Sequence, residues 1–189
     1  MIGGYAGKIL RVNLTKREHA VEPLSEDIIR RYLGGKGISA HLLYHELPAG
    51  CDPLGPDNLL VFANGPLTGT LAPTSARVTV CTKSPLTGGW LDSNCGGFWG
   101  PELKYAGYDM LVIGGCSDKP CILVIEDENI AIEPATELQG YDCGKTEYVL
   151  KTKYGTDYRV ACIGPAGEKK IPLAAILAEG RAFGRGGAG

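Results

Sequence analysis

An α+β protein with mixed β-sheets is predicted by three observations. Strand-like runs outnumber helical ones, about eight against three or four when counted by periodicity and turn signals. The two kinds of element do not alternate strictly as βαβ units, which disfavours a doubly wound parallel sheet. No linker divides the 189 residues, and the only compositionally biased stretch is the glycine-rich end, so the chain reads as one domain.

The elements follow in order. Residues 8–14 alternate apolar and polar side chains, the period of a half-buried strand. Ser25 followed by Glu26 and Asp27 gives a helix start, with a capping hydroxyl and acidic charge in the first turn. Ile28, Ile29 and Leu33 form that helix's apolar stripe, Gly34-Gly-Lys-Gly37 interrupts it, and residues 38–47 resume a helical pattern. Residues 58–64 and 77–83 are strands, and each runs into a Pro-Leu-Thr-Gly turn, a weak sign of internal duplication. Residues 97–107 read as a helix and 108–113 as a strand. Residues 121–126 and 130–132 read as a hairpin across Asp127-Glu-Asn129. A short helix is expected over 146–154 and a strand over 159–163. Residues 171–177 are the last regular segment, strand or helix.

Composition removes several classes of function. A formal net charge of -2 leaves no basic field to attract nucleic acid or anionic lipid, and no apolar run approaches the length of a membrane span. The first residues show no export signal, which points to the cytoplasm and to reduced thiols for the seven cysteines. None of these forms a C-x-x-C pair, so no zinc or iron–sulfur site is evident. Cys81 and Cys162 fall in strand-like runs and are expected as small buried hydrophobes, and a Cys116–Cys121 disulfide is disfavoured in a reducing compartment. His41 and His45 have the i, i+4 spacing of a metal pair but lack a third ligand, so a packing or surface role is favoured.

Glycine is the outlier, with 28 residues, and it is concentrated where chemistry is expected. Arg77, Lys83 and the run Asp92-Ser-Asn-Cys-Gly-Gly97 place hydroxyls and two cations ahead of a glycine pair that opens a helix. Helix N-termini offer unpaired N–H groups to a phosphate, and Arg77 supplies a bidentate fork. Ordinary turns with cations snorkelling at strand ends explain the same residues, and the spacing matches neither a Walker loop nor a dinucleotide fingerprint. A second anion-friendly loop, Gly180-Arg-Ala-Phe-Gly-Arg-Gly-Gly187, closes the chain. Because the sequence ends in this loop with no strand after it, a fragment or a partner that supplies the continuation is expected.

Taken together, Gly-Lys-Ile-Leu-Arg-Val-Asn-Leu-Thr (7–15), Tyr-Leu-Gly-Gly-Lys-Gly (32–37), Asp-Pro-Leu-Gly-Pro-Asp-Asn-Leu-Leu (52–60), Gly-Pro-Leu-Thr-Gly-Thr (65–70) and Ala-Pro-Thr (72–74) form one ordered set. Thr-Lys-Ser-Pro-Leu-Thr-Gly (82–88), Glu-Leu-Lys-Tyr-Ala-Gly-Tyr-Asp (102–109), Ile-Gly-Pro-Ala-Gly-Glu (163–168) and Gly-Arg-Ala-Phe-Gly-Arg-Gly-Gly (180–187) complete it. In this order they resemble the N-terminal domain of the tungsten-containing aldehyde:ferredoxin oxidoreductases over essentially the whole chain. The resemblance implies a base of two packed β-sheets carrying a tungsten (or molybdenum) bis-pyranopterin cofactor, with Mg bridging its phosphates. It also implies an enzyme that oxidises an aldehyde to a carboxylic acid and passes electrons to ferredoxin. Arg77, Asn94, Gly96, Arg181, Ala182, Gly184 and Arg185 are then the expected cofactor-binding residues. The Asn94 side chain and the Ala182 carbonyl are the expected metal ligands. No catalytic residue is expected in this chain, because the family's [4Fe-4S] cysteines and its acid and histidine lie in later domains or, here, in a separate subunit.

Two departures stand out. Cys95 replaces an expected Ser, and Phe183 replaces a small residue in the second loop, where it would crowd a pterin or alter its tilt. The isolated chain is accordingly expected to be inactive. The alternative is a stand-alone anion-binding, cofactor-binding or interaction module without catalysis. A homodimer is compatible with either, and neither needs nucleic acid or a membrane.

Overall fold

A computed structural model describes residues 2–184 and 186–189. Its frame is a six-stranded sheet with strand order β2-β1-β6-β3-β4-β5. Strand β1 (Lys8–Asn13) turns back into β2 (Glu18–Pro23), and the two pair antiparallel. Strand β2 has no periodicity signal because every one of its residues is exposed; it is an edge strand held through its backbone, with no apolar face. The remaining strands of the sheet are β3 (Leu60–Asn64), β4 (Val78–Lys83), β5 (Trp90–Cys95) and β6 (Met110–Gly114). Only the β1–β6 pair is parallel, so this sheet is mixed.

Helices α1 (Glu26–Tyr32) and α2 (Gly35–Glu46) cover one face of the sheet. The Ser25 hydroxyl caps α1 as expected, accepting from the Ile28 N–H at 3.3 Å. The Gly34-Gly-Lys-Gly37 run is not a simple interruption, because most of it forms the first turn of α2. A side chain at Gly34 would press on the Asn64 carbonyl, and one at Gly37 would collide with the Tyr32 carbonyl, so glycine lets the second helix start directly against the first. Ile29, Ile38, Leu42 and Leu43 pack on Val61, Ala63, Cys81, Met110 and Val112.

The opposite face holds the second core. Leu10, Val12, Phe62, Val78, Val80, Cys95 and Leu111 meet Leu103 of helix α3 (Trp99–Tyr105), together with Tyr108, Ile176, Ala178 and Phe183. Strands β7 (Cys121–Glu126) and β8 (Asn129–Pro134) form a separate hairpin, followed by α4 (Cys143–Tyr154). A small antiparallel sheet, β9 (Ala161–Cys162), β10 (Leu177–Ala178) and β11 (Arg181–Ala182), packs its apolar residues against the large one. A single turn of helix, α5 (Pro165–Glu168), lies between β9 and β10. The α+β class and the packed sheets are thus present, with all of the mixed pairing in the larger sheet.

Further segments differ from expectation: the strand expected over 159–163 pairs only at Ala161–Cys162, and the helix expected over 97–107 is Trp99–Tyr105. Strand β3 starts at Leu60 because Asn58 is occupied with the carbonyls of Pro53 and Lys83, at 2.8 and 3.1 Å. Residues 171–176 are neither strand nor helix; Ala174 N–H closes a turn onto the Ile171 carbonyl at 2.8 Å, and pairing begins only at Leu177. Strand β5 carries no strand signal of its own, because Asp92, Ser93 and Asn94 are poor strand formers. It forms because Leu91 and Cys95 are buried on one face while β4 supplies the ladder. Among the described residues no helix is long and apolar enough to cross a membrane.

Candidate functional site

Strand register assembles the site. Val78 lies opposite Cys95, so Arg77 and Gly96, each one residue further out, emerge together at the same end of β4 and β5. The connection between β10 and β11 is a two-residue hairpin in which Glu179 and Gly180 have φ of 52° and 72°, the pair of positive angles that a type I′ turn requires. This turn carries Arg181 to the same end. One guanidinium nitrogen of Arg181 is 3.4 Å from where a Cβ on Gly97 would stand. The Cys95 thiol donates towards the Arg181 carbonyl at 3.7 Å, and Gly184 rests directly on Ser93. Strand β11 therefore runs along the Ser93–Cys95 stretch, and Ala182 lies against it.

Antiparallel pairing also sets the direction of the Ala182 carbonyl. Phe183 N–H donates to Ile176 at 2.8 Å, so the next pair, Leu177 with Ala182, is the non-hydrogen-bonded kind, and the Ala182 carbonyl points out from the edge of the small sheet. Asn94 is exposed on the edge strand β5 and faces the other way from Cys95. Its Oδ1 accepts from the Thr79 hydroxyl at 2.9 Å, which fixes the amide and leaves a second lone pair on that oxygen. Arg77 and Arg181 are both exposed, and among the described residues neither has a carboxylate ion-pair partner. Arg185 lies outside the described residues.

Several expectations are corrected here. The N-terminus of α3 does not await a phosphate, because the Phe98 N–H donates to Glu179 Oε2 at 2.6 Å and that carboxylate occupies the space above Gly97. Glu179 Oε1 lies 3.8 Å from Arg159 Nε, and the Arg159 guanidinium covers the Phe98 ring at 5.0 Å. The anion at this turn is the protein's own. Lys83 is at the opposite end of β4 from Arg77, where its ammonium donates to the Cys51 carbonyl, so it takes no part in the site. Phe183 does not crowd a ligand: it is 1% exposed and packs edge-on against Phe62 at 5.5 Å and Trp99 at 6.1 Å. Cys95 also faces the core; burial pushes its thiol up, Arg181 and Arg77 partly offset this, and Glu179 adds to it.

Two residues that support the site lie within the ordered motifs but are not among the expected site residues. The Thr68 hydroxyl accepts from Gly65 N–H at 3.2 Å and donates to the Arg77 carbonyl at 2.8 Å, tying the first Pro-Leu-Thr-Gly turn to the start of β4. The Lys104 ammonium, largely buried, donates to the Gly4 and Gly65 carbonyls at 2.7 and 2.6 Å, with Asp109 at 3.7 Å. Burial pushes Lys104 below the usual lysine range, and Asp109 only partly offsets this. A cleft of about 390 Å³ opens beside Arg77 between Gly34–Gly35 and residues 65–68 and 73–75, with Thr79 in its wall. Among the described residues no cluster of three His, Cys, Asp or Glu side chains could hold a metal. His41 stacks on Tyr32 at 4.5 Å and meets His45 edge-on at 4.4 Å, a packing role. All seven cysteines are free thiols.

Residues 9–189 match the family described as aldehyde ferredoxin oxidoreductase, N-terminal domain. The chain is 47% identical over 188 residues to the tungsten-containing aldehyde ferredoxin oxidoreductase of Pyrococcus abyssi, a match that covers 98% of this chain and 31% of that protein. It is 33% identical to the WOR-like subunit of the aliphatic sulfonate oxidoreductase of Pyrococcus furiosus, over 92% of this chain and 30% of that one. Among solved structures, the active-site complex BamBC of benzoyl coenzyme A reductase with 1,5-dienoyl-CoA superposes with a TM-score of 0.96 at 36% identity, covering 100% of this chain and 29% of that chain. The chain therefore spans about a third of the length of the relatives it matches.

Proposed function

Because the chain belongs to the aldehyde ferredoxin oxidoreductase N-terminal-domain family, we propose that it is the cofactor cradle of a tungsten (or molybdenum) bis-pyranopterin oxidoreductase. The observation that carries this reading is the lip at the end of β4 and β5. There register and a type I′ turn bring Arg77 and Arg181 to the same end of the sheet as the open backbone at Gly96. A side chain at Gly96 would meet nothing within 4 Å, so the backbone there is open to close approach by a ligand.

The donor set fits the cofactor. Two guanidinium forks suit phosphate groups. The Asn94 amide oxygen and the outward Ala182 carbonyl are hard oxygen donors of the kind Mg takes alongside phosphates. When bound, the metal–dithiolene group supplies the two-electron chemistry that converts an aldehyde and water to a carboxylic acid. This chain's own task is positional. Thr79 fixes the Asn94 amide, Thr68 fixes the Arg77 backbone, and Phe183 fixes the loop that presents Ala182. Gly184 serves that loop by its close packing on Ser93, and Arg185 completes its basic character.

The substrate pocket, a [4Fe-4S] cluster and the docking of ferredoxin belong to the remaining two-thirds of the assembly, in the cytoplasm. Relatives that share this domain are named for an aldehyde, a sulfonate and a coenzyme A thioester. The choice of substrate is therefore assigned to those other domains.

The test is cofactor content of the assembled enzyme purified without oxygen. Asn94→Ala is expected to lose magnesium together with the pterin, and unchanged tungsten content would defeat the assignment. Arg77→Ala is expected to weaken retention by about 2–3 kcal/mol, the size of a lost charge-assisted contact. Full retention after dialysis would count against it.

A further inference from the structure

We propose that Cys143 and Cys162 are an oxidation site, a dithiol that closes to a reversible disulfide joining the first turn of α4 to strand β9. The two residues are 19 apart in sequence, and the fold lays them side by side. The Cys143 thiol donates towards the Cys162 carbonyl at 3.8 Å, and the Cys162 thiol donates towards the Cys143 carbonyl at 3.8 Å. This reciprocal arrangement confines both sulfurs to the same gap between two backbone segments. Juxtaposition of the two cysteines is the condition for a disulfide.

Both residues are only half-buried, and the backbone of Gly164 lies over the Cys143 sulfur with no side chain to shield it; a Cβ there would stand 3.5 Å away. Of the other cysteines, Cys51, Cys81 and Cys95 are buried, Cys116 is exposed, and Cys121 is half-buried at the start of β7. Burial, together with the neighbouring Cys143, raises the Cys162 thiol. The opening over Cys143 at Gly164 assigns the first attack to Cys143.

The oxidant is a low-molecular-weight disulfide. The Cys143 thiolate attacks one of its sulfurs, the S–S bond breaks, and the departing thiolate takes up the proton that Cys143 released. The Cys162 sulfur then attacks Cys143 Sγ in the mixed disulfide, expelling the second small thiolate, which takes the Cys162 proton. Two protein thiols become one disulfide, and two electrons pass to the small disulfide, which leaves as two thiols. Strand β9 pairs with β10, and β10 with the β11 strand that bears Arg181 and Ala182. The bond would thus tie α4 to the far edge of the small sheet without touching the lip.

The test treats the chain in its native assembly, fully reduced, with oxidised glutathione, and maps peptides under non-reducing conditions. The expected product is a crosslink between the Cys143 and Cys162 peptides with no retained glutathione. Cys162→Ser is expected to stop at a glutathione adduct on Cys143. Cys143→Ser is expected to slow modification of Cys162 at least about tenfold relative to wild-type oxidation. Separate adducts on both residues in the wild type, or a crosslink from either to Cys116 or Cys121, would overturn the proposal. So would modification of Cys116 while Cys143 and Cys162 stay reduced. The wild-type map decides the matter even where a serine variant fails to fold.

Discussion

Replacing Phe183 with alanine tests whether the loop that carries Ala182 and Gly184 is anchored in the core or is shaped around a ligand. The ring is 1% exposed and lies edge-on to Phe62 and Trp99, at 5.5 and 6.1 Å. Removing a buried phenylalanine costs about 3–5 kcal/mol through lost transfer free energy and the cavity left behind. Two edge-to-face pairs are lost with it, each worth about 0.5–1.5 kcal/mol beyond area, which places the expected value near the top of that range, about 4–5 kcal/mol. Phe183→Leu refills most of the volume and is expected to cost less than about 2 kcal/mol. Urea unfolding followed by tryptophan fluorescence reads both, since Trp99 is itself in contact with the ring. If alanine costs under about 1.5 kcal/mol while leucine costs the same, the ring is not a core anchor. A loss of cofactor from the assembled enzyme that leucine restores would tie the anchor to the presentation of Ala182.

Glu179→Ala removes the carboxylate that the Phe98 N–H and Arg159 share, and is expected to destabilise by about 1.5–3 kcal/mol, with Glu179→Gln recovering the part owed to the hydrogen bond. A loss below about 0.5 kcal/mol in the same unfolding assay would show that the two glycine loops are held together by other contacts. Cys81 gives a pH signature. Burial raises its thiol from 9.0 to about 12 in the folded chain, so the unfolded chain ionises first. Its contribution is fully present below about pH 9 and is lost as pH rises towards 12, at up to about 1.4 kcal/mol per pH unit. Wild type is therefore expected to lose stability more steeply than Cys81→Ala above pH 9, and parallel alkaline limbs would refute the reasoning.

What could be read from the sequence divides along physical lines. Strands with a buried face, such as β1 and β4, declare themselves through alternation or a β-branched run, and Ser25 marks its helix through capping chemistry. Strand β2 has no buried face, and β5 is built partly of turn-type residues, so both depend on a partner strand that local pattern does not contain. The site shows the same division. Arg77 and Gly96 were recognisable as residue types, but their meeting depends on the Val78–Cys95 register. Glu179 was unremarkable in the sequence, since its role arises only when a turn of positive φ swings it over Gly97. Phe183 looked like an intrusion into a small-residue loop until packing turned it inward. Close approach explains Gly184 in the same way: its φ of 62° and its contact with Ser93 both exclude a side chain.

The position of β6 has a consequence for how the chain comes into being. This strand is the last of its sheet to be synthesised, yet it lies between β1 and β3, parallel to one and antiparallel to the other. Until the ribosome has passed Gly114, β1 and β3 each present an open edge, and no sequence of local hairpins can close the sheet. Joining β1 to β6 closes a loop of roughly a hundred residues, a long-range contact that slows folding and lengthens the exposure of unpaired strands. The nascent chain thus passes through a stage prone to edge-to-edge association, during which a holding chaperone has most to protect. The lip is completed later still, because the strand that bears Arg181 follows β6 in the chain.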